Sequence, residues 1–261
     1  MNGPRQTRRL EDLTARAVAD AVTVGSTLVL PIGAVEQHGP HLPLSVDHVI
    51  AHEAASAAVA RVGEELDLWL LPTLAVSKSN EHAWSPGTLW LSAGTMLAVL
   101  NDLGRSVAAT SAQRLVLLNG HGGNSSLLNV ACRDLRLAHG LKTFLVHPFV
   151  PPDQGGSSPE AELAMGIHGG HEETSVMLHL RPDLVDMSRA TRRIPETLAD
   201  NEFVRFGGPV SFGWLSDDFG PDGHIGDPTT ATAEDGARIF AAMVDLLCRQ
   251  MAEIIRFDYG R

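Results

Sequence analysis

Four short apolar runs, each followed by a longer stretch of helical period or a polar loop, constrain this chain more than any other feature of its sequence. The first is Thr27-Leu28-Val29-Leu30-Pro31-Ile32; the others span 68–72, 114–118 and 142–146. Runs this short are too brief for helices, and their lack of polar alternation marks strands buried on both faces. Between them, 48–61 is Ala-rich and helical, 77–86 is a polar loop, and 93–112 and 124–138 carry helical period. Strands alternating with helices of this length build βαβ units around a mostly parallel sheet, hence an α/β fold.

The remaining stretches complete that frame. Residues 10–24 read as an amphipathic helix stopped by Gly25, and Gly140 ends the helix 124–138. Segment 148–159, with its Pro-Pro, Gly-Gly and Ser-Ser pairs, is a loop or lid. A helix over 172–180 breaks at Arg181-Pro182, and 183–223 is irregular. The last helix runs from about Thr232 to Ile255, with Glu234 and Asp235 suiting its dipole. No repeat, heptad or low-complexity tract divides the 261 residues, so one domain spans 1–261.

Charge and cysteine content narrow the function classes. The 20 Lys+Arg against 31 Asp+Glu give a formal charge of −11, and Arg5, Arg8 and Arg9 are the nearest thing to a basic cluster. Nucleic acid and anionic membrane, which need clustered Lys and Arg, are disfavoured as partners. No apolar stretch is long enough to span a bilayer and no signal segment opens the chain, so a cytoplasmic protein is expected. Cys132 and Cys248 lack metal or disulfide spacing and read as small core residues. The 12 histidines then need explaining, since imidazole is the commonest metal ligand and acid/base group.

In a parallel α/β sheet, loops leaving the strands' carboxyl ends converge on one crevice. Three such segments combine His with carboxylate. In 33–47, directly after the first strand, Glu36 and His38 are two residues apart and share a face if extended. Two prolines and a glycine then turn the chain so that Asp47 can return to them; the simpler reading is a polar loop with Asp47 capping a helix. In Asn119-Gly120-His121-Gly122-Gly123-Asn124, glycines around one histidine allow close backbone approach to a ligand. A phosphate loop is the rival there, although neither GxGxxG nor a Walker A with its Lys is present. In Ile167-His168-Gly169-Gly170-His171-Glu172-Glu173-Thr174-Ser175, a helix start carries two histidines and two carboxylates, and HExxH is absent.

Taken in order, Glu36-x-His38-Gly-x-His41-Leu-Pro with Asp47, Asn119-Gly-His121-Gly-Gly-Asn124 and His168-Gly-x-x-x-Glu173-Thr-Ser strongly resemble the creatininase family of binuclear-metal amidohydrolases. Ser85-Pro86-Gly87-Thr88 and Gly226-Asp227-Pro228-Thr229 fit as well, so the resemblance covers nearly the whole chain. It implies a three-layer α/β/α sandwich with a mainly parallel central sheet and two divalent ions, Zn, Mn or Fe, at the strand ends. By position, Glu36 and His121 hold one ion, His38 the second, and Asp47 bridges both. Where creatininase has Tyr-Glu after the histidine, this chain has Gly122-Gly123. That Glu is a metal ligand in creatininase, and the need for another carboxylate points to Glu173. The lost Tyr contacts substrate there, which argues against creatinine itself.

The expected reaction is hydrolysis of a C–N bond in a small cyclic amide, lactam or formamide. Two ions sharing a water lower its pKa and polarise the carbonyl. His168, or less directly Glu172, passes the proton to the leaving nitrogen. Glu81, His82 and Trp84 on the mid-chain loop, together with Gly122, are the candidate substrate contacts; Trp214 suits a pocket wall or a subunit contact, and Trp69 and Trp90 suit the core. His48, His52, His139, His147 and His179 read as structural, His41 as a support to the ligands or turn packing, and His224 has weak support. Relatives within the family also suggest a peptidase of mycofactocin maturation or a hydrolase of an oxidised inositol ring. Outside catalysis, the alternatives are a metal-binding structural subunit and a nucleotide-binding module. A homo-oligomer, hexameric as is usual in the family, is expected.

Overall fold

The computed structural model describes residues 7–149 and 159–260. Strands β1 (Thr27–Ile32), β2 (Leu68–Leu70), β3 (Arg114–Asn119) and β4 (Lys142–Val146) form one sheet in the order β2-β1-β3-β4, with every pairing parallel. Thr27 is in register with Leu68 and Arg114, and Arg114 with Lys142, so the strands start in line.

Successive strand side chains point to opposite faces, and the core divides accordingly. Leu28, Leu30, Ile32, Leu115 and Leu117 face α1 (Ala15–Ala21), α3 (Ala93–Ala108) and α4 (Ser125–His139), where Met96, Leu100, Leu128 and Leu135 close the layer. Val29, Leu68, Leu70, Val116 and Leu118 face α2 (Val46–Val62) and α6 (Ala233–Arg256), which supply Ala51, Ala54, Ala58, Leu247 and Met251. The result is the expected α/β/α sandwich, and two covered faces explain strands without polar alternation.

Helix α5 (His171–Leu180) adds Val176 and Met177 to a third cluster with Val46, Ile50 and Met243. Its crossing with α6 is close: a Cβ on Gly236 would lie 1.8 Å from the Ser175 carbonyl oxygen.

Local chemistry moves several expected boundaries. The helix expected over 10–24 is split into a 3₁₀ turn, Leu10–Asp12, and α1, because Thr14 is extended and its side chain caps Ala17 N–H. Helix α3 ends at Ala108, short of the expected 112, and the Thr110 hydroxyl turns back to the Val107 carbonyl. Gly140, at φ 71°, closes α4, and Thr232 caps α6 through Asp235 N–H. The irregular 183–223 region contains short 3₁₀ turns and the clustered aromatic side chains Phe206, Phe212, Trp214 and Phe219. Trp69 is buried as expected, but Trp90 is 47% exposed. Leu89 N–H donates to the Val35 carbonyl and Leu91 N–H to the Ser77 carbonyl, and of this stretch Leu91 packs on the core while Leu89 and Trp90 stay exposed. The expected lid lies outside the described residues from 150 to 158.

Candidate active site

The chain leaves β1 toward β2 on one side and β3 toward β4 on the other, so the topological switch point lies between β1 and β3. Loops diverge there and open a crevice at the strands' carboxyl ends. Segment 33–47 leaves β1 at this point and 120–124 leaves β3. Gly33 lets the start of α2 lie directly on the first loop: a Cβ there would come 2.3 Å from the His48 Cα. That contact returns Asp47, in the first turn of α2, to Glu36 and His38.

Glu36, His38, Asp47 and His121 are all at most 5% exposed. His38 Nδ1–H donates to the Glu36 carbonyl at 3.1 Å, which leaves Nε2 3.0 Å from Asp47 Oδ1. His121 Nε2–H donates to the Lys78 carbonyl at 3.0 Å, which leaves Nδ1 3.1 Å from Asp47 Oδ2 and 3.2 Å from Glu36 Oε1. The carbonyls thus assign both tautomers. Glu36 Oε1 and Asp47 Oδ2 are buried and accept no hydrogen bond among the described residues.

Imidazole lone pairs therefore converge with carboxylate oxygens. The donor atoms of Glu36, Asp47 and His121 lie within 4.8 Å of one another, as do those of His38, Asp47 and Glu173, and those of Glu36, His38 and His168. Nitrogen and oxygen donors without thiolate suit Zn, Mn or Fe(II), and ligand histidines need their second nitrogen fixed, as it is here. The residues fit divalent metal ions, with Asp47 common to the first two groups.

The electrostatics state the same demand. Burial would lower the His38 imidazole, yet the charge and hydrogen bond of Asp47, with Glu173 and Glu36, push it up to about 9. His121 is likewise carried well above its ordinary range, against burial, by Glu36, Asp47 and Glu81. Burial opposes ionisation of Asp47 too, but His38 and His121 hold it well below the usual carboxylate range. Glu173 moves to about 7, chiefly through burial, with Asp47 and Glu36 adding to it against His38. The cluster retains positive charge despite burial, which is the need a bound cation meets.

His168 differs. Its Nε2 lies 2.5 Å from the Gln37 carbonyl, and its Nδ1 lies 3.7 Å from Glu36 Oε1. Burial, then His38 and His82, depress it well below the ordinary histidine value, so it is neutral.

The mid-chain loop enters the site through the 3₁₀ turn Asn80–His82. His82 Nδ1 accepts from Gln37 Nε2 at 2.8 Å, and its Nε2 lies 3.3 Å from Glu36 Oε1. Glu81 Oε1 lies 3.3 Å from His121 Nε2, and Oε2 accepts from Lys78 Nζ at 2.9 Å. Gly122 lines the cavity with them. Trp84 is not among the lining residues and donates its indole N–H to Ser216 Oγ at 2.7 Å. Glu172 borders a small adjoining recess with Glu162, and burial followed by Glu162 raises its carboxyl. His41 bonds Thr174 Oγ1 at 3.0 Å and packs edge-on to His224.

Three residues join the site without a sequence signal of their own. Gln37 ties His82 and His168 together, and Ser79 Oγ donates to Glu36 Oε2 at 2.5 Å. His147, expected to be structural, lines the cavity while bonded to Ser125 Oγ at 3.1 Å. The cavity measures about 440 Å³; its floor is polar, with Asp47, His121 and His168, and Phe149, Phe212 and Trp214 lend it an apolar wall.

A family model described as Creatininase, creatinine amidohydrolase, matches residues 11–251. The mycofactocin precursor peptide peptidase of Mycobacterium tuberculosis (strain CDC 1551 / Oshkosh) is 40% identical over 234 residues, 87% of this chain and 84% of that protein. The creatinine amidohydrolase of Pseudomonas putida is 36% identical over 204 residues, 71% of this chain and 76% of that protein. Among solved structures, a Mn creatininase superposes with a TM-score of 0.77 at 29% identity, covering 97% of this chain and 100% of that one. A creatininase variant of the Zn–Zn type gives a TM-score of 0.75 at 27% identity with the same coverage.

Proposed function

The chain belongs to the creatininase family, and from that premise we propose that it is a metal-dependent hydrolase cleaving the amide C–N bond of a short peptide. The observation that carries the reading is the cavity of about 440 Å³ with an apolar wall over the carboxylate–histidine cluster. That volume falls in the range of sites for ligands well above the size of a single small ring. The mycofactocin peptidase relatives support the same substrate class. A small cyclic amide is the second reading, favoured by the likeness to creatinine amidohydrolase. Gly122 carries no side chain to narrow the cavity around so small a molecule.

Glu36, Asp47 and His121 would hold one ion, and His38, Asp47 and Glu173 a second. When bound there, such ions supply Lewis acidity that polarises an amide carbonyl and lowers the pKa of water. Gln37 holds His168 by its backbone carbonyl, so the neutral ring is free at Nδ1. His168 takes the proton of the attacking water at Nδ1 and delivers it to the departing nitrogen. Phe149, Phe212 and Trp214 exclude water from one side of the scissile bond and hold an apolar substrate side chain.

The test is an assay of Mn- or Zn-loaded protein against short peptides and lactams. Release of a new amine from peptides, abolished by chelation, is expected. His168→Ala should lower kcat by about 10²–10⁴-fold with little change in metal content. Turnover of lactams alone would move the function to the second reading.

A further inference from the structure

Gly123 sits where a side chain would collide with a carboxylate from another loop: a Cβ there would lie 1.7 Å from Glu81 Oε1 and 2.5 Å from His121 Nε2. Glu81 reaches this space from the turn Asn80–His82, and it is 9% exposed. Its two oxygens do different work. Oε2 is held by Lys78 Nζ at 2.9 Å, and Oε1 faces His121 Nε2 at 3.3 Å, beside the Lys78 carbonyl at 3.0 Å. Two acceptors thus meet the far side of the imidazole, so with a cation bound at Nδ1 the remaining ring proton resides on Nε2. Nδ1 itself is directed at Glu36 Oε1 and Asp47 Oδ2.

We propose that Glu81 is a positioning residue for the metal centre: seated in the cradle left by Gly123, it forms a carboxylate–His121–metal relay that backs the tautomer set by the Lys78 carbonyl with a negative charge and strengthens His121 as a ligand. The inference rests on the metal-dependent reading of the same cluster. It changes the expected role of Glu81 from substrate contact to support of a ligand. The negative charge of Glu81, more than its bulk, carries the effect, because a carboxylate behind an imidazole raises the basicity of the opposite nitrogen. Lys78 Nζ, bonded to Oε2, keeps the carboxylate turned toward the ring.

The experiment measures Mn²⁺ and Zn²⁺ dissociation constants by chelator competition for the full chain, Glu81→Gln and Glu81→Ala, with KM and kcat of each loaded protein alongside. Glu81→Gln is close to isosteric, so it tests the charge where Glu81→Ala fails to fold. The relay predicts about 10- to 100-fold weaker metal binding in Glu81→Gln with KM near that of the parent. In Zn²⁺-loaded protein the Nε2–H proton shift of His121 should move upfield in Glu81→Gln, because that proton loses its charged acceptor while the Lys78 carbonyl stays in place. Metal affinity equal to the parent, with KM raised, overturns the proposal in favour of a substrate contact. A parent chain that binds no divalent ion at all would instead overturn the functional reading on which the proposal stands.

Discussion

Glu36 and His38 were legible together because an extended chain repeats every two residues, and that repeat holds after β1. Asp47 was legible from the turn residues that return it. Gln37 and Ser79 were not, because Gln37 acts through a backbone carbonyl as much as its side chain, and Ser79 lies in a loop with no period. Glu81 was visible only as a candidate substrate contact; its orientation toward His121 depends on a glycine 42 positions away, which no local pattern reports. At this scale the thiols also carry a prediction. Burial raises Cys132 to about 11, against the weaker effect of the Thr143 hydroxyl. A raised thiol pKa means less thiolate at any working pH, so alkylation at pH 8 should be slow and should quicken roughly tenfold per pH unit until about 11. Mass spectrometry of iodoacetamide-treated native protein checks this, and full labelling of Cys132 within minutes at pH 8 would contradict it.

Among elements, α5 matters most, since it delivers Glu173 while resting on α6 at Gly236. Replacing a helix-interior Gly by Ala gains up to about 1 kcal/mol of propensity. At Gly236 the added methyl meets a backbone oxygen that cannot swing aside, and overpacking of this kind costs about 1–3 kcal/mol. The steric term wins, so Gly236→Ala should lower the denaturation midpoint and, by shifting α5, reduce activity as well. Gly94 in α3 is the control: nothing lies within 4 Å of its Cβ position, so Gly94→Ala should be neutral or up to about 1 kcal/mol more stable. Chemical denaturation of both variants separates these outcomes; equal stability changes of the same sign would remove the role given to the α5–α6 crossing. Helices with caps were legible to within a few residues, as Thr232 and Gly140 show. The N-terminal helix was misread because its hydrophobic period continues through Thr14 while the backbone does not.

For the molecule as a whole, four uninterrupted apolar runs announced a parallel sheet covered on both faces, and the two core layers have that form. Strand order was not legible, because each run would pair equally well with any other and the choice is made by helix packing across the sheet. The region 183–223 was opaque for the opposite reason: its aromatic cluster is assembled from short turns that share no period. Yet strand order creates the site, since the crevice opens between β1 and β3, where the chain departs in two directions. The net charge of −11 includes the carboxylates of Glu36, Asp47 and Glu173, and these are the charges a cation pair would offset. The most direct test is therefore the metal content of the 261-residue chain purified without chelator, measured by mass spectrometry beside Asp47→Asn, which alters the one residue shared by the groups of His121 and Glu173. The account predicts about two transition ions per chain in the parent and loss of most of that metal in the variant; a metal-free parent, or an Asp47→Asn protein that keeps its full complement, would contradict it.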